Sequence, residues 1–241
     1  MSGAMAAGRS FILASGSPRR IEMMRAHGLE PLVMPSRTDE HIPWHHSMTQ
    51  TVMFLALQKA RDVESRWLSS CSFPNLSGGA PVPDPGPSAS AVASGGSSAG
   101  ASALPPVILA ADTLVCYQGE IMGKPADKAD GFRMLSALRG NVHDVVTGVA
   151  LVEAGMPHAK VFYEITKVYF RDYSDEELLA YLDTDEAYDK AGGYAIQGYF
   201  SRYVDHIEGD YDNVVGFPWN RIQRELTTFL RDGEDPAAKQ R

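Results

Sequence analysis

Phe11-Ile12-Leu13-Ala14 runs straight into Ser15-Gly16-Ser17-Pro18-Arg19-Arg20, and the passage from an apolar run to a proline-led basic segment organises the chain. Ser17 is a preferred N-cap residue and Pro18 suits the first helical position; Ile21 and Met24 then follow at helical spacing until Gly28 supplies a stop. The passage predicts a strand, a tight turn and a helix N-terminus. Such a terminus presents unpaired backbone N–H groups and the positive end of a helix dipole, and here two guanidinium groups stand in its first turn. An anion suits that arrangement. A capped surface helix with solvated arginines satisfies the same residues, so the rest of the chain has to decide.

Across 241 residues, a hydrophobic content of 44% is enough for a sizeable core in one large domain or two small ones. Lys and Arg number 22 against 30 Asp and Glu, a net charge of −8 that repels nucleic acid and anionic membranes. Any polyanionic ligand must therefore be held by a local basic cluster. Cys71 and Cys116 match no metal or redox spacing. Met1 to Arg9 lacks the apolar core of a signal peptide, and no window approaches the ~18 consecutive apolar residues of a membrane helix. The expectation is a soluble, cytoplasmic protein with neither a nucleic-acid nor a membrane partner.

Leu32-Val33-Met34 predicts a short strand leading into a polar loop, Pro35 to His41, in which Asp39 and Glu40 are adjacent. His41, His45 and His46 could join them around a metal, but Pro43 and Trp44 interrupt the spacing and a polar loop is the simpler reading. The next helix, capped by Ser47 or Thr49, carries the apolar stripe Val52, Leu55, Ala56, Ala60 and Val63. Lys59 falls on that stripe, either snorkelling at its edge or reaching a buried anion site. From Ser69 to Pro106 the chain turns to Ser, Gly, Ala and Pro with Asp84 as the only charge. This predicts a disordered low-complexity insertion over residues 69–106 of a single domain spanning 9–232, with a flexible tail over 233–241; a linker between two domains is the alternative.

Val107-Ile108-Leu109-Ala110-Ala111 reads as a buried strand, and apolar sequence resumes at Leu114-Val115-Cys116-Tyr117. Asp112 interrupts it. A carboxylate in such a run is costly to bury unpaired, so it is protonated or faces a polar cleft, a cation or a metal, unless it marks a strand end in a solvated turn. Gln118-Gly119 predicts a hairpin that returns to Gly123-Lys124-Pro125. A helix from Asp127 to Arg139, an antiparallel pair over Val142 to Val152 and Ala159 to Phe170, and a helix capped by Ser174-Asp175-Glu176-Glu177 follow. A glycine-rich loop, Lys190 to Gly198, contains Gln197, whose amide can donate and accept at once toward a planar edge. Strands near Tyr199 to Ile207 and Asn213 to Val215 and a helix from Trp219 to about Leu230 complete the prediction.

Arg19, Arg20, Lys59 and Lys124 can together neutralise a polyphosphate, while Glu40 and Asp112 can hold a divalent cation or orient a water. No glycine-rich loop ends in Gly-Lys-Ser/Thr and no Gly-x-Gly-x-x-Gly follows the first strand, which disfavours the common ATPase and dinucleotide folds. The stretches Ser15 to Arg20, Asp39-Glu40, Gln58-Lys59-Ala60, Ala111-Asp112-Thr113, Gly123-Lys124-Pro125, Asp189 to Gly198 and Val215-Gly216-Phe217-Pro218 resemble, in order, the motifs of the Maf nucleotide pyrophosphatases. That resemblance implies an α/β fold with an elongated mixed β-sheet flanked by helices, two lobes around an active-site cleft, and usually a homodimer. It implies hydrolysis of a nucleoside triphosphate between the α and β phosphates with Mg²⁺ or Mn²⁺. Carried over residue by residue, it makes Asp112 the carboxylate that activates water or binds the metal, with Glu40 assisting at the metal. Lys59 and Lys124 would stabilise phosphate charge, and Ser15 with Arg20 would cradle the phosphates. Arg19, Thr113 and Gln197 match the branch that resembles dTTP and UTP hydrolases, and CTP or modified pyrimidines could fit the same site. A nucleotide-binding regulator of cell division or septum formation is the alternative from another class; a pyrophosphatase for 7-methyl-GTP or other non-standard nucleotides is the alternative substrate.

Overall fold

The computed structural model describes residues 8–38, 46–71 and 104–234. Asp39, Glu40, His41 and His45, residues 72–103 of the low-complexity segment and the tail beyond Glu234 lie outside the described residues.

The opening stretch forms β1 (Phe11–Leu13), which is buried throughout, followed by α1 (Pro18–Ala26). Ser17 occupies the N-cap position as expected but makes no side-chain cap; instead the Ser15 hydroxyl accepts from the Ser17 N–H at 3.2 Å. β1 runs parallel to both its neighbours, β2 (Leu32–Val33) and β3 (Val107–Tyr117). β3 pairs antiparallel with β5 (Val142–Glu153), β5 with β6 (Ala159–Phe170), and β6 with β7 (Val204–Glu208), giving a mixed sheet ordered β2-β1-β3-β5-β6-β7. β4 (Glu120–Met122) returns from β3 through Gln118 and Gly119, both at positive φ, and pairs with the last residues of β3.

Side chains alternate across β3, so its two faces build different cores. Ile108 and Ala110 pack under α2 (Met48–Cys71), while Leu109 and Ala111 meet α1 and α6 (Trp219–Glu234) on the other face. A further cluster, including Val115, Val145, Phe170 and Tyr194, gathers with α3 (Lys128–Leu138) and α4 (Asp175–Leu182) toward the other end of the sheet. Ser47 rather than Thr49 caps α2, accepting from the Gln50 N–H at 3.3 Å while the Gln50 amide oxygen accepts from the Ser47 N–H at 2.9 Å. The capping box at Ser174 forms as expected.

Three boundaries differ from expectation. Tyr199–Tyr203 is a 3₁₀ turn, leaving only Val204–Glu208 as strand. Asn213 to Val215 is not a strand but the end of α5 (Tyr211–Val215), which is capped by the Asp210 side chain and stopped by Gly216 at φ 103°. Its valines advertise a strand, and a single helical turn is too short to show any period. Finally, α6 continues through Leu230 to Glu234. No described helix is long and apolar enough to cross a membrane.

Candidate active site

The site begins as an interruption in the sheet. β1 pairs with β3 only at Val107 to Leu109, and β4 pairs with it only from Val115 to Tyr117. On that edge residues 110–114 have no strand partner among the described residues, whereas β5 pairs along the whole opposite edge from Val107 to Cys116. Asp112 and Thr113 sit in this opening. Asp112 does not end the strand: β3 runs through it without a break, and the residue is only 5% exposed.

The Asp112 side chain points to the α2 face and forms an ion pair with the Lys59 ammonium. Lys59 therefore turns inward from its stripe rather than snorkelling outward. The pair depends on close approach of helix and sheet, which Gly148 permits. Gly148 is the β5 partner of Asp112, and a Cβ there would come within 2.3 Å of the Val52 carbonyl in α2. Opposite charge at contact offsets much of the cost of removing the carboxylate from water.

Arg20 reaches the same opening from α1. Its Nε donates to the Gly216 carbonyl at 2.9 Å, Nη1 to the Ala111 carbonyl at 2.9 Å and the Ser15 hydroxyl at 3.2 Å, and Nη2 to the Thr113 hydroxyl at 3.2 Å. Every one of these acceptors is a neutral oxygen, and these bonds fix the plane of the guanidinium. Behind it, Thr113 Oγ1 lies 3.0 Å from Thr147 Oγ1, which donates to the Asn213 carbonyl at 3.1 Å.

These groups line a cavity of about 240 Å³ that also takes in Arg19, Lys124, Asp189, Lys190 and Tyr194. Among the described residues that line it, five cations, Arg19, Arg20, Lys59, Lys124 and Lys190, face two carboxylates, Asp112 and Asp189. A chain of net charge −8 thus carries a locally positive pocket. Partial burial pushes the Asp189 carboxyl up, but its hydrogen bond to Lys190 and the charges of Lys190 and Arg19 outweigh that and hold it below the usual range. Away from the charges the wall is apolar, with Val115, Val145, Ile196 and Val214. Tyr194 is anchored from behind, its hydroxyl 2.6 Å from Nε2 of His143, whose own pKa burial lowers to about 3.

Of the residues singled out in the sequence, Arg19, Arg20, Lys59, Asp112, Thr113 and Lys124 converge on the cavity, with Ser15 bonded to Arg20 at its edge. Gln197 does not join them: it is exposed and lines a shallower groove along α1 with Arg19, Glu22 and Val215. Arg19 borders both spaces. The expected role of Glu40 falls outside the described residues. Sequence reasoning assigned no function to Asp189 and Lys190, though both stand in a charged, glycine-rich stretch, and it passed over Thr147 and Asn213. A threonine within β-branched strand sequence and an asparagine before two valines carry no signal of their own.

The family model described as "Maf-like protein" matches residues 10–229. A dTTP/UTP pyrophosphatase of Bacillus anthracis is 39% identical over 224 residues, covering 93% of this chain and 97% of the relative. One of Bacillus thuringiensis subsp. konkukian is 38% identical over 224 residues with the same coverage. A third, of Caldicellulosiruptor bescii, is 36% identical over 229 residues and covers 94% and 99%. Matched from β1 into α6, and against relatives aligned over nearly their full length, the chain belongs to the Maf family.

Proposed function

We propose that this protein is a nucleoside triphosphate pyrophosphatase that hydrolyses dTTP and UTP to the monophosphate and pyrophosphate. The observation that carries the reading is a near-buried strand carboxylate, Asp112, in the wall of a cavity where, among the described residues, cations outnumber carboxylates five to two. That excess suits a triphosphate, and the apolar wall beside it suits a flat base. The names of the relatives supply the substrate class.

In this reading Asp112 takes a proton from a water whose oxygen attacks the α phosphorus. The bond from that phosphorus to the oxygen bridging the α and β phosphates breaks, and pyrophosphate leaves with the electron pair. Lys59 and Lys124 spread the charge that builds on the phosphate oxygens, and Arg20 holds Thr113 and the end of α1 in place. Among the described residues no three His, Cys, Asp or Glu side chains cluster as a metal cage. A magnesium site made from one or two carboxylates plus substrate phosphates needs no such cage, so the donors here fit it. Asp112, with Glu40 beyond the described residues, would hold Mg²⁺ or Mn²⁺, which would neutralise phosphate charge. The reading also includes a cytoplasmic location and a homodimer, the latter checked by sedimentation of the purified protein.

The test is a panel of nucleoside triphosphates with Mg²⁺, scored for pyrophosphate release. Release from dTTP and UTP is expected. Release from none of them would sink the reading, and release from 7-methyl-GTP alone would redirect it to another substrate.

A further inference from the structure

The stretch from Lys190 to Gly198 supplies Lys190, Tyr194, Ala195 and Ile196 to the cavity and Gln197 to the groove beside it. Both ends of this stretch return to one residue, Glu186, which lies in the turns that follow α4. At the near end the Lys190 ammonium donates to the Glu186 backbone carbonyl at 2.8 Å. At the far end the Tyr199 N–H donates to the Glu186 carboxylate, 3.0 Å from one oxygen and 3.2 Å from the other. A bond to an ionised acceptor is among the stronger kinds, and this one closes a gap of 13 positions in the chain. Glu186 itself is not among the described residues that line the cavity.

Gly198 is the counterpart of that carboxylate. Its backbone is extended, with φ −101°, a conformation open to any residue, so the main chain does not call for glycine there. What excludes a side chain is Glu186: a Cβ at position 198 would stand 1.5 Å from its Oε1 and 2.6 Å from its Cδ. The missing side chain makes room for the group that ties down the next N–H. The two halves of the stretch are also held differently. The first half is pinned without the carboxylate, since the Gly192 N–H donates to the Gly123 carbonyl at 2.9 Å, next to Lys124, and Tyr194 is anchored by His143. In the second half the Gly198 N–H turns back on the Ala195 carbonyl at 3.1 Å, a bond internal to the stretch, and the Tyr199 N–H that follows goes to Glu186.

We propose that Glu186 is a positioning residue: its carboxylate, in the room left by Gly198, holds Ala195 and Ile196 in the cavity wall and so sets nucleotide affinity without touching the nucleotide. The proposal rests on the nucleotide reading of the cavity, and its test separates the two. Hydrogen exchange in peptides covering Ala195 to Tyr199 is followed by mass spectrometry in the ligand-free wild type, Glu186→Ala, Glu186→Gln, Gly198→Ala and the double variant Glu186→Ala/Gly198→Ala. Binding of α,β-methylene-UTP with Mg²⁺ is measured by calorimetry, and kcat and KM for UTP by pyrophosphate release. Glu186→Ala should speed exchange in that stretch at an unchanged urea midpoint, and should weaken analogue binding and raise KM about tenfold. It should leave kcat within about twofold, because Lys59, Asp112 and Lys124 keep their own anchors. Gly198→Ala pushes the carboxylate aside with residue 186 intact and should do the same. The double variant should be no worse than either single one, since both remove the same contact. Glu186→Gln keeps an oxygen for the Tyr199 N–H and should recover most of the affinity. A carboxylate that merely stabilised the fold would lower the urea midpoint and leave KM alone. Should Glu186→Ala not fold, Gly198→Ala carries the test, since only the end of a flexible side chain has to move.

Unchanged exchange in Glu186→Ala, faster exchange with wild-type affinity, a fall in kcat in place of a rise in KM, or additive losses in the double variant overturns the proposal and leaves the nucleotide reading standing. A looser stretch with weaker analogue binding supports it even where the wild type releases no pyrophosphate, and that result overturns the hydrolase reading alone. A wild type that does not bind the analogue overturns both.

Discussion

Asp112 and Arg20 are both charged groups held at the sheet opening. Asp112 has an ionic partner in Lys59, and Arg20 donates to oxygens of Ser15, Ala111, Thr113 and Gly216. Replacing Asp112 with Asn keeps the shape and removes the base. Turnover should fall by about 10²- to 10⁴-fold with triphosphate binding retained, as read by pyrophosphate release beside calorimetric titration. Undiminished turnover would remove Asp112 from the chemistry. Arg20→Lys keeps the charge but loses the fork that reaches several acceptors from one rigid plane. The variant should unfold at lower denaturant, by about 1–3 kcal/mol, with kcat/KM reduced because the end of α1 and Thr113 lose their shared anchor. Equilibrium urea unfolding measures the first effect, and wild-type stability in Arg20→Lys would show that the fork is not what joins α1 to β3.

At the scale of elements, the site exists because α2 lies almost in contact with β5. Gly148 makes that possible, since a methyl group there would collide with the backbone of Val52 and Met53 rather than with a side chain able to swing aside. Gly148→Ala should lift α2 from the sheet, costing about 2 kcal/mol or more and drawing Lys59 away from Asp112. Thermal unfolding and turnover should fall together, whereas a stable, active Gly148→Ala would mean that the helix has slack. How well the sequence foretells an element follows from how local its cause is. Asp112 was legible because a carboxylate inside an apolar strand is an anomaly in one dimension, and Lys59 because helical periodicity puts it on the inward stripe. The opening between β1 and β4 was not, because it depends on how two separate strands happen to end along a third. The chain through Thr147 to Asn213 spans β5 and α5 and uses residues that are ordinary in their own segments. Gln197, whose chemistry is apt for a base edge, stands in the neighbouring groove with Arg19, a position its own segment does not announce.

For the whole molecule, buried polar groups away from the cavity set how stability responds to pH. Arg9 and Glu153 are paired at 3.0 Å at the end of the sheet away from Asp112. His143 differs because its ring is neutral. It is 2% exposed on β5, set between Phe170 and Tyr194, with Nε2 2.6 Å from the Tyr194 hydroxyl. Burial lowers its pKa from 6.5 to about 3. Above the unfolded value neither state binds the proton, and His143 costs nothing. As pH falls below 6.5 the unfolded chain takes up a proton that the folded chain refuses, so stability drops toward the folded value at ~1.4 kcal/mol per unit, or about 2 kcal/mol by pH 5. The carboxylates held low, Asp189 by Lys190 and Glu225 by Lys160, act in the same direction, but only at the lower pH where carboxylates titrate. Comparison with a variant lacking the imidazole across pH 6.5 to 5 therefore isolates His143. Urea unfolding across that interval should show the decline in the wild type and a flatter profile in His143→Gln, whose amide can still meet Tyr194 but takes no proton. Matching slopes in the two proteins would mean that His143 is protonated in the folded state, and that Tyr194 is held by a charged ring in place of a neutral one.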